Sequence, residues 1–212
     1  MPSRPPVRRR RKEARPREII RAALDTFAER GFAATRLDDV AVRAGVGKGT
    51  LYLYFPSKEE LLEAVVREAL IPNIARAERL AASHAGSCEE LLRLIAELAA
   101  RRIARSRLSA IPKLVLAEAS NFPDLARFYL EEVISRGLAL LGGIVRRGIE
   151  RGEFRAVDAE HAARLLMAPL LFLALWRHSF ARVAQGTLDP IAFCRAHLDM
   201  ALHGLLHRPG DE

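Results

Sequence analysis

The chain has 212 residues, a formal net charge of +8 and two cysteines, and half of its residues are hydrophobic. This length allows one large domain or a small domain followed by a larger one, with enough apolar residues for a substantial core. Leucine and alanine dominate the apolar residues and alternating runs of Val, Ile and Thr are missing, which disfavours a β-structure and predicts an all-α protein.

The positive charge is concentrated near the N-terminus, where residues 1–17 hold eight arginines and lysines against one acid, Glu13. We expect residues 1–15 to form a flexible basic arm that contacts the minor groove or the phosphates of DNA. Binding to anionic lipid and simple solvation of the arm are the alternatives. The arm contains no apolar segment, so it is not predicted to be a secretory signal.

In chain order, apolar spacing predicts a first helix over 16–30, ended by Gly31, and a second helix that begins near Thr35 and ends at Gly45. Thr35 and Asp38 resemble a capping box for the second helix. A third short helix is predicted over 48–55. Two short helices joined by a glycine turn are typical of a helix-turn-helix, whose second helix lies in the major groove of DNA.

The joining stretch GVGKGT, residues 45–50, could also belong to the phosphate-binding loop of an NTPase. That loop requires Gly, four free positions and then Gly-Lys-Ser/Thr. Here Val42 stands in place of the first glycine and Gly49 in place of the Ser or Thr. Residues 37–44, which precede it, have helical spacing and not the pattern of a strand. We therefore interpret GVGKGT as the turn and the start of the recognition helix.

The rest of the chain predicts further helices. Their expected spans are 57–82 with a disturbance at Pro72, 87–107, 108–120, 123–152, 159–182 and 191–207, with a frayed tail over 208–212. Ser57 and Ser87 are predicted N-caps, Ser57 in a capping box with Glu60.

Two composition features of this part indicate a protein of the cytoplasm. The longest dense apolar run, Leu165 to Trp176, has twelve residues, whereas a membrane-spanning helix takes about 20. We expect a buried helix and no membrane partner. Cys88 and Cys194 lack metal or redox spacing and are predicted to be core residues in a reducing compartment, although a disulfide between them stays open.

Residues 23–66 resemble the DNA-binding domain of the TetR family of bacterial transcriptional regulators. The matching elements are Phe27 to Phe32, Thr35, Asp39-Val40-Ala41, Ala44-Gly45-Val46, Gly49 to Tyr52, Tyr54-Phe55 and Ser57 to Leu61. Residues 114–133 additionally resemble the ligand domain of AcrR- and AefR-like members, in a looser match. The resemblance implies a homodimer with a three-helix DNA-binding domain over 16–60 and a larger helical domain over 61–207 that dimerises and binds a ligand.

The resemblance also implies individual DNA contacts. Thr35 and Lys58 would bind phosphates, Arg36 would add an ionic contact where Thr or Ser is common, and the recognition helix would present Lys48, Gly49, Thr50, Tyr52 and Tyr54. Gly47 stands where many relatives have Ser, so one phosphate-binding hydroxyl is missing. Both departures leave the operator sequence open.

Helical geometry separates these residues further. Tyr52 and Tyr54 diverge by about 200° around a helix, so they cannot both face one core. We expect Tyr52 to face DNA and leave Tyr54 open between DNA and core, while Leu51 is a core residue. Lys48 and Lys58 lie in first helical turns, where a cation opposes the dipole unless an anion binds; solvated charges are the alternative.

We therefore expect a transcriptional regulator that binds double-stranded DNA sequence-specifically, as a homodimeric repressor that a small apolar or amphipathic effector releases from a palindromic operator. An activator or a ligand-insensitive regulator of the same fold is the alternative within this class, and an NTPase or a membrane-surface protein are the rivals outside it. No catalytic constellation and no cofactor are predicted. His203 and His207 are spaced i, i+4 without an evident third ligand, so no metal site is predicted. The aromatic residues between 122 and 180 fit a ligand pocket or ordinary packing.

Overall fold

The computed structural model describes residues 7–206, with side chains from residue 15 onward. Apart from one isolated bridge between Phe154 and Leu206, these residues contain no β-structure, which confirms the all-α prediction. The helices are α1 (Val7–Arg30), α2 (Leu37–Ala44), α3 (Lys48–Tyr54), α4 (Lys58–Ala69), α5 (Ile71–Ser83), α6 (Cys88–Arg105), α7 (Ile111–Glu118), α8 (Pro123–Tyr129), α9 (Arg136–Glu150), α10 (Ala159–Ser179) and α11 (Pro190–Leu205). A 3-10 turn (Arg107–Ala110) joins α6 to α7, and a π-helical segment (Leu130–Ser135) joins α8 to α9.

The first helix begins earlier than the sequence predicted. It runs from Val7 through Pro16, whereas the prediction placed its start at Pro16. Residues 7–15 are mostly Arg, Lys, Glu and Ala, which are good helix formers, so the helix continues although the proline forfeits one backbone hydrogen bond. The expected flexible arm thus overlaps a helix over 7–15, and residues 1–6 lie outside the described part of the chain.

Capping fixes most of the predicted boundaries, with one exception. The Ser57 hydroxyl accepts from the backbone N–H of Glu60, and Ser87 with Glu90 forms a complete capping box. The capping box predicted for α2 is wrong, because its N-cap is Arg36 without a side-chain bond. The Thr35 hydroxyl instead donates to the Gly31 carbonyl at 2.6 Å, which satisfies an acceptor at the end of α1.

One of the longer predicted helices is divided near a proline, and the others end earlier than predicted. The helix expected over 57–82 is split into α4 and α5 just before Pro72, as the sequence predicted. The helix expected over 123–152 passes through the π-helical segment and ends at Glu150. The last two helices end at Ser179 and Leu205, earlier than predicted; His207 and the tail lie outside the described residues.

Two large hydrophobic cores and a small third one, around Leu173 between α6, α10 and α11, organise these helices. The first joins α1 to α4, which we call the head, to the 3-10 turn, α7 and α8, through residues such as Phe27, Leu61 and Ile111. The second joins α6, α9, α10 and α11, which form most of the body, α5 to α11. The predicted boundary at residue 60 falls inside α4, since Leu61 packs with α1 in the first core. The head therefore sits on the body through a shared apolar interior.

Candidate nucleic-acid interface

The turn between α2 and α3 has the geometry of a helix-turn-helix. Gly45 ends α2 with φ of 66°, and its N–H donates to the carbonyls of Ala41 and Val42. This left-handed conformation is the one that a glycine adopts without strain. Gly47 is extended and precedes α3 as its N-cap. The stretch GVGKGT is thus the turn and the first residues of α3, as the sequence predicted.

One buried leucine orients α3. Leu51 is fully buried in the first core, so the opposite side of this short helix faces solvent. The outer face of α3, as we call it, consists of Lys48, Gly49, Tyr52 and Leu53, all of them exposed. No atom lies within 4 Å of the place where a Cβ on Gly49 would stand. The outer face therefore exposes backbone at Gly49, between the side chain of Lys48 and those of Tyr52 and Leu53.

The two tyrosines separate as helical geometry predicts. Tyr52 is 48% exposed, whereas Tyr54 is half-buried, packs against the first core and lies 6.5 Å from Phe55 between ring centroids. Tyr54 thus lies on the core side of α3, and its contact with DNA stays a prediction. Thr50 is half-buried as well.

Sequence reasoning missed Leu53, which is 80% exposed. It follows Leu51 by two positions and therefore points about 200° away from that core residue. The same periodicity that separated the tyrosines would have found it. An apolar side chain exposed beside Tyr52 gives the outer face an apolar contact of its own.

The cations around α3 are tied to neighbouring groups. The Lys48 ammonium lies 2.5 Å from a carboxylate oxygen of Asp38 on α2, and this hydrogen bond raises the pKa of Lys48. The lysine is fully charged at neutral pH, and an ammonium bound to one carboxylate keeps donors for a phosphate. Arg36 is exposed at the N-terminus of α2. Lys48 and Arg36 thus both place positive charge at the N-terminal end of α2.

Lys58 and Thr35 have partners inside the head. The Lys58 ammonium donates to the carbonyls of Phe32 and Ala33 at 3.1 and 3.2 Å and lies 4.7 Å from the centre of the Phe32 ring. One of its three N–H groups remains for a phosphate. Thr35 is 1% exposed, and both its hydroxyl and its backbone N–H donate to carbonyls at the end of α1. The predicted phosphate contact of Thr35 therefore has no free donor in this arrangement.

A small cavity lies in the body between α6, α9, α10 and α11. Its volume is about 20 Å³, and its lining is apolar except for Cys194 and His197. The Nε2 atom of His197 is buried without a hydrogen-bond partner among the described residues. Burial lowers the pKa of His197 and raises that of Cys194 to about 11, so both are neutral at pH 7. Cys194 and Cys88 are free thiols, so the disulfide left open by the sequence is not formed.

The outer sides of α10 and α11 carry large apolar residues. Leu165, Leu171, Phe172 and Met200 are 68%, 40%, 44% and 79% exposed. The helix α10 is long and apolar enough to cross a membrane by length and composition alone. The sequence had predicted no membrane span here, because the dense apolar run has only twelve residues. Of the most apolar stretch of α10, 33% is buried within the chain. We call these residues the α10–α11 face. Exposed apolar patches on soluble proteins mark surfaces that bind a partner.

Among the described residues no three His, Cys, Asp or Glu side chains could hold a metal ion.

The head and the body each match known proteins. Residues 19–65 match the bacterial regulatory proteins of the tetR family, and residues 82–192 match the tetracyclin repressor-like C-terminal domain. The HTH-type transcriptional regulator RutR of Escherichia coli (strain K12) is 34% identical over 188 residues, which cover 88% of this chain and 86% of RutR. The HTH-type transcriptional repressor KstR2 of Rhodococcus jostii is 30% identical over 196 residues, 92% of each chain.

A solved structure agrees with this fold over nearly the whole length of the chain. The transcriptional regulator FadR from Bacillus subtilis, in complex with stearoyl-CoA, superposes with a TM-score of 0.75 at 26% identity and covers 90% of this chain and 99% of its own.

Proposed function

Because the chain belongs to the TetR family of bacterial regulatory proteins, we propose that it is a cytoplasmic homodimeric repressor, released from a palindromic operator by a small molecule. The family consists of DNA-binding transcriptional regulators and not of enzymes. The observation that carries the proposal is the outer face of α3, where Lys48, Gly49, Tyr52 and Leu53 are exposed around a helix fixed by the buried Leu51.

The outer face has the chemistry that reading a major groove requires. The bare backbone at Gly49 allows close approach, the Tyr52 hydroxyl offers a hydrogen-bond donor and acceptor, and Leu53 offers a contact for a thymine methyl group. Lys48 and Arg36 supply charge for phosphates, which fixes the register without reading the sequence. Lys58 holds the end of α1 in place and keeps one donor for a phosphate.

Dimerisation is supported by the α10–α11 face. A two-fold partner would cover the exposed leucines and Phe172, and the same surface would meet itself across the axis. Two heads held by such a dimer would read two half-sites about 34–36 Å apart, one turn of DNA. An interface of this kind buries roughly 2,000 Å² or more.

Release by an effector is supported by the body. The relative FadR was solved with stearoyl-CoA, and KstR2 is named a repressor. The cavity beside His197 is lined by apolar side chains with one unpaired nitrogen, which suits an apolar or amphipathic molecule with a single polar group. Its volume of about 20 Å³ holds little more than one water, so an effector has to open it. A ligand that binds an opened body shifts the population away from the DNA-binding form.

The experiment is selection of duplexes from a random library by the full chain, followed by fluorescence anisotropy on the enriched sequence. We expect a palindromic site and an affinity that falls steeply with salt, since phosphate contacts release counterions. Leu53→Ala should relax the preference at one base pair of each half-site, costing roughly 3- to 30-fold in discrimination if it contacts a thymine methyl.

Leu116→Ala, at an exposed leucine of α7, is the matched control and should change nothing. Failure to enrich any sequence would refute sequence-specific binding. An operator whose occupancy raises transcription in a reporter strain would favour the activator alternative.

A further inference from the structure

The 3-10 turn Arg107–Ala110 lies where the head meets the body. It packs against α1 of the head and against α6, α7 and α10 of the body. Its apolar residues Leu108 and Ala110 are buried in the first core. Its polar side chains point in two directions, Arg107 toward the head and Ser109 toward α10.

On the head side, one carboxylate joins three elements. Glu29 of α1 accepts from Arg107 at 2.8 Å and from Arg43 of α2 at 2.6 and 2.8 Å. Arg107 also lies 3.1 Å from the carboxylate of Asp25, one turn earlier on α1. Hydrogen bonds from Arg43 and Arg107 lower the pKa of Glu29 to about 2. The network is therefore charged throughout the neutral range and binds the turn to both helices that support α3.

On the body side, the turn together with α6 and α7 holds the last residues of α10. Ser109 is 5% exposed, and its hydroxyl donates to the Ser106 carbonyl and lies 2.8 Å from Nε2 of His178. Since a hydroxyl has one hydrogen, this geometry is satisfied when Nε2 of His178 donates to Ser109. Lys113 donates to the backbone carbonyl of His178 at 2.5 Å, and Arg177 donates to that of Ile103.

These bonds do little to keep the chain folded. The side chains of Arg107, Glu29 and Asp25 are 54%, 43% and 29% exposed, and ion pairs so exposed contribute little to stability. The buried residues of the shared core already hold the head to the body. The turn is nevertheless tied on both sides, by Arg107 to two carboxylates of α1 and by Ser109 to His178 of α10, which restricts the direction in which the head points.

We propose that Arg107 and His178 are positioning residues for operator recognition, which fix the head relative to α10 and so set the separation of the two recognition helices. The inference rests on the proposed dimeric operator binding. The connecting path is short. The helix α10 carries the exposed face that would meet the partner, and His178 in its last turn bonds Ser109 of the 3-10 turn. Arg107 of the same turn bonds Glu29 of α1, which in turn bonds Arg43 of α2. A movement of α10 would therefore reach both supports of α3.

The test uses duplexes that keep the selected half-sites and change the spacer between them by one base pair at a time. The wild-type chain should show a sharp optimum. Arg107→Ala should flatten it, losing roughly 2- to 10-fold at the best spacer, less at its neighbours, with the base preference within each half-site unchanged. His178→Phe, which keeps a ring but removes the donor to Ser109, should flatten the profile in the same way. Arg107→Lys keeps the charge and should restore part of the optimum.

Arg101→Ala is the matched control, because Arg101 is 51% exposed and pairs with Glu97 inside α6. It should leave the spacer profile unchanged. A wild-type spacer profile in folded, dimeric Arg107→Ala would overturn the positioning role while leaving the proposed function intact. Equal loss at all spacers would overturn it too, since that pattern belongs to a DNA contact. If the wild-type chain binds no duplex, both proposals fall.

Discussion

Replacing Leu165 by Arg tests the α10–α11 face most directly. Leu165 lies on α10, is 68% exposed and shares the outer side of that helix with Leu171 and Phe172. Because this side chain is mostly exposed in the single chain, replacing it by a charged one should remove few packing contacts, and the fold should persist. In a symmetric dimer the same position would be buried twice.

The expected effect on dimerisation is large. Full burial of a leucine contributes about 1.5–3 kcal/mol, and Leu165 has about two-thirds of that left to gain, or ~1–2 kcal/mol per subunit. Two copies lose about 2–4 kcal/mol, and burying two unpaired guanidinium groups adds several kcal/mol more. At about 1.4 kcal/mol per factor of ten, the dissociation constant of the dimer should rise by at least ~1,000-fold.

Sedimentation equilibrium at micromolar concentration measures this effect. The wild-type chain should sediment at twice 23.6 kDa, and Leu165→Arg should sediment as a monomer with most operator affinity lost, since each monomer holds one half-site. Leu98→Arg is the control, because Leu98 is an exposed leucine of α6, 49% accessible and outside the α10–α11 face. A Leu165→Arg protein that stays dimeric and keeps its affinity would show that this face is not the interface.

Three further predictions concern single groups. Lys58→Ala should flatten the slope of log K against log salt by about one unit and lower Tm, and an unchanged slope would leave Lys58 only its bonds to the carbonyls of Phe32 and Ala33. Gly45→Ala should cost about 1–2 kcal/mol in calorimetry, because φ there is 66°, while Gly49→Ala should spare stability and weaken DNA binding; equal Tm values for the two would contradict this. Burial and neighbouring cations lower the pKa of His178 from 6.5 to about 4. As the pH falls, His178 is therefore protonated in the unfolded chain before it is protonated in the folded chain. The free energy of unfolding should then decrease between about pH 6.5 and pH 4. Urea titrations at both ends of that window should show a smaller drop in His178→Phe.

Local pattern was enough for much of the head. The glycine turn, the Ser57 cap, the burial of Leu51 and the divergence of the two tyrosines all follow from dihedral preferences and from 3.6 residues per turn. The exposure of Leu53 was equally available from that period and was overlooked. The start of α1 was misplaced because a proline that suits a first turn can also lie inside a helix that good helix formers extend.

The partners of polar side chains could not be obtained in this way. The Lys58 ammonium donates to a carbonyl 25 residues before it in the chain. The Thr35 hydroxyl donates to the Gly31 carbonyl, next to the end of α1, and does not cap α2. Both were predicted to bind phosphate, and for Lys58, which keeps one free donor, that contact stays a prediction. Their actual neighbours depend on how α1 meets α4.

The sequence by itself determined an all-α chain with a helix-turn-helix near its N-terminus, since helix period, caps and glycine turns are written in neighbouring residues. Only the tertiary structure decided that the head shares its core with α7 and α8 and that Arg107 meets Glu29 across 78 positions. The physical reason is the distance along the chain over which each kind of interaction acts. Backbone preferences act within a turn or two, whereas a charged or apolar side chain takes whatever partner the packing of distant helices brings within a few ångströms.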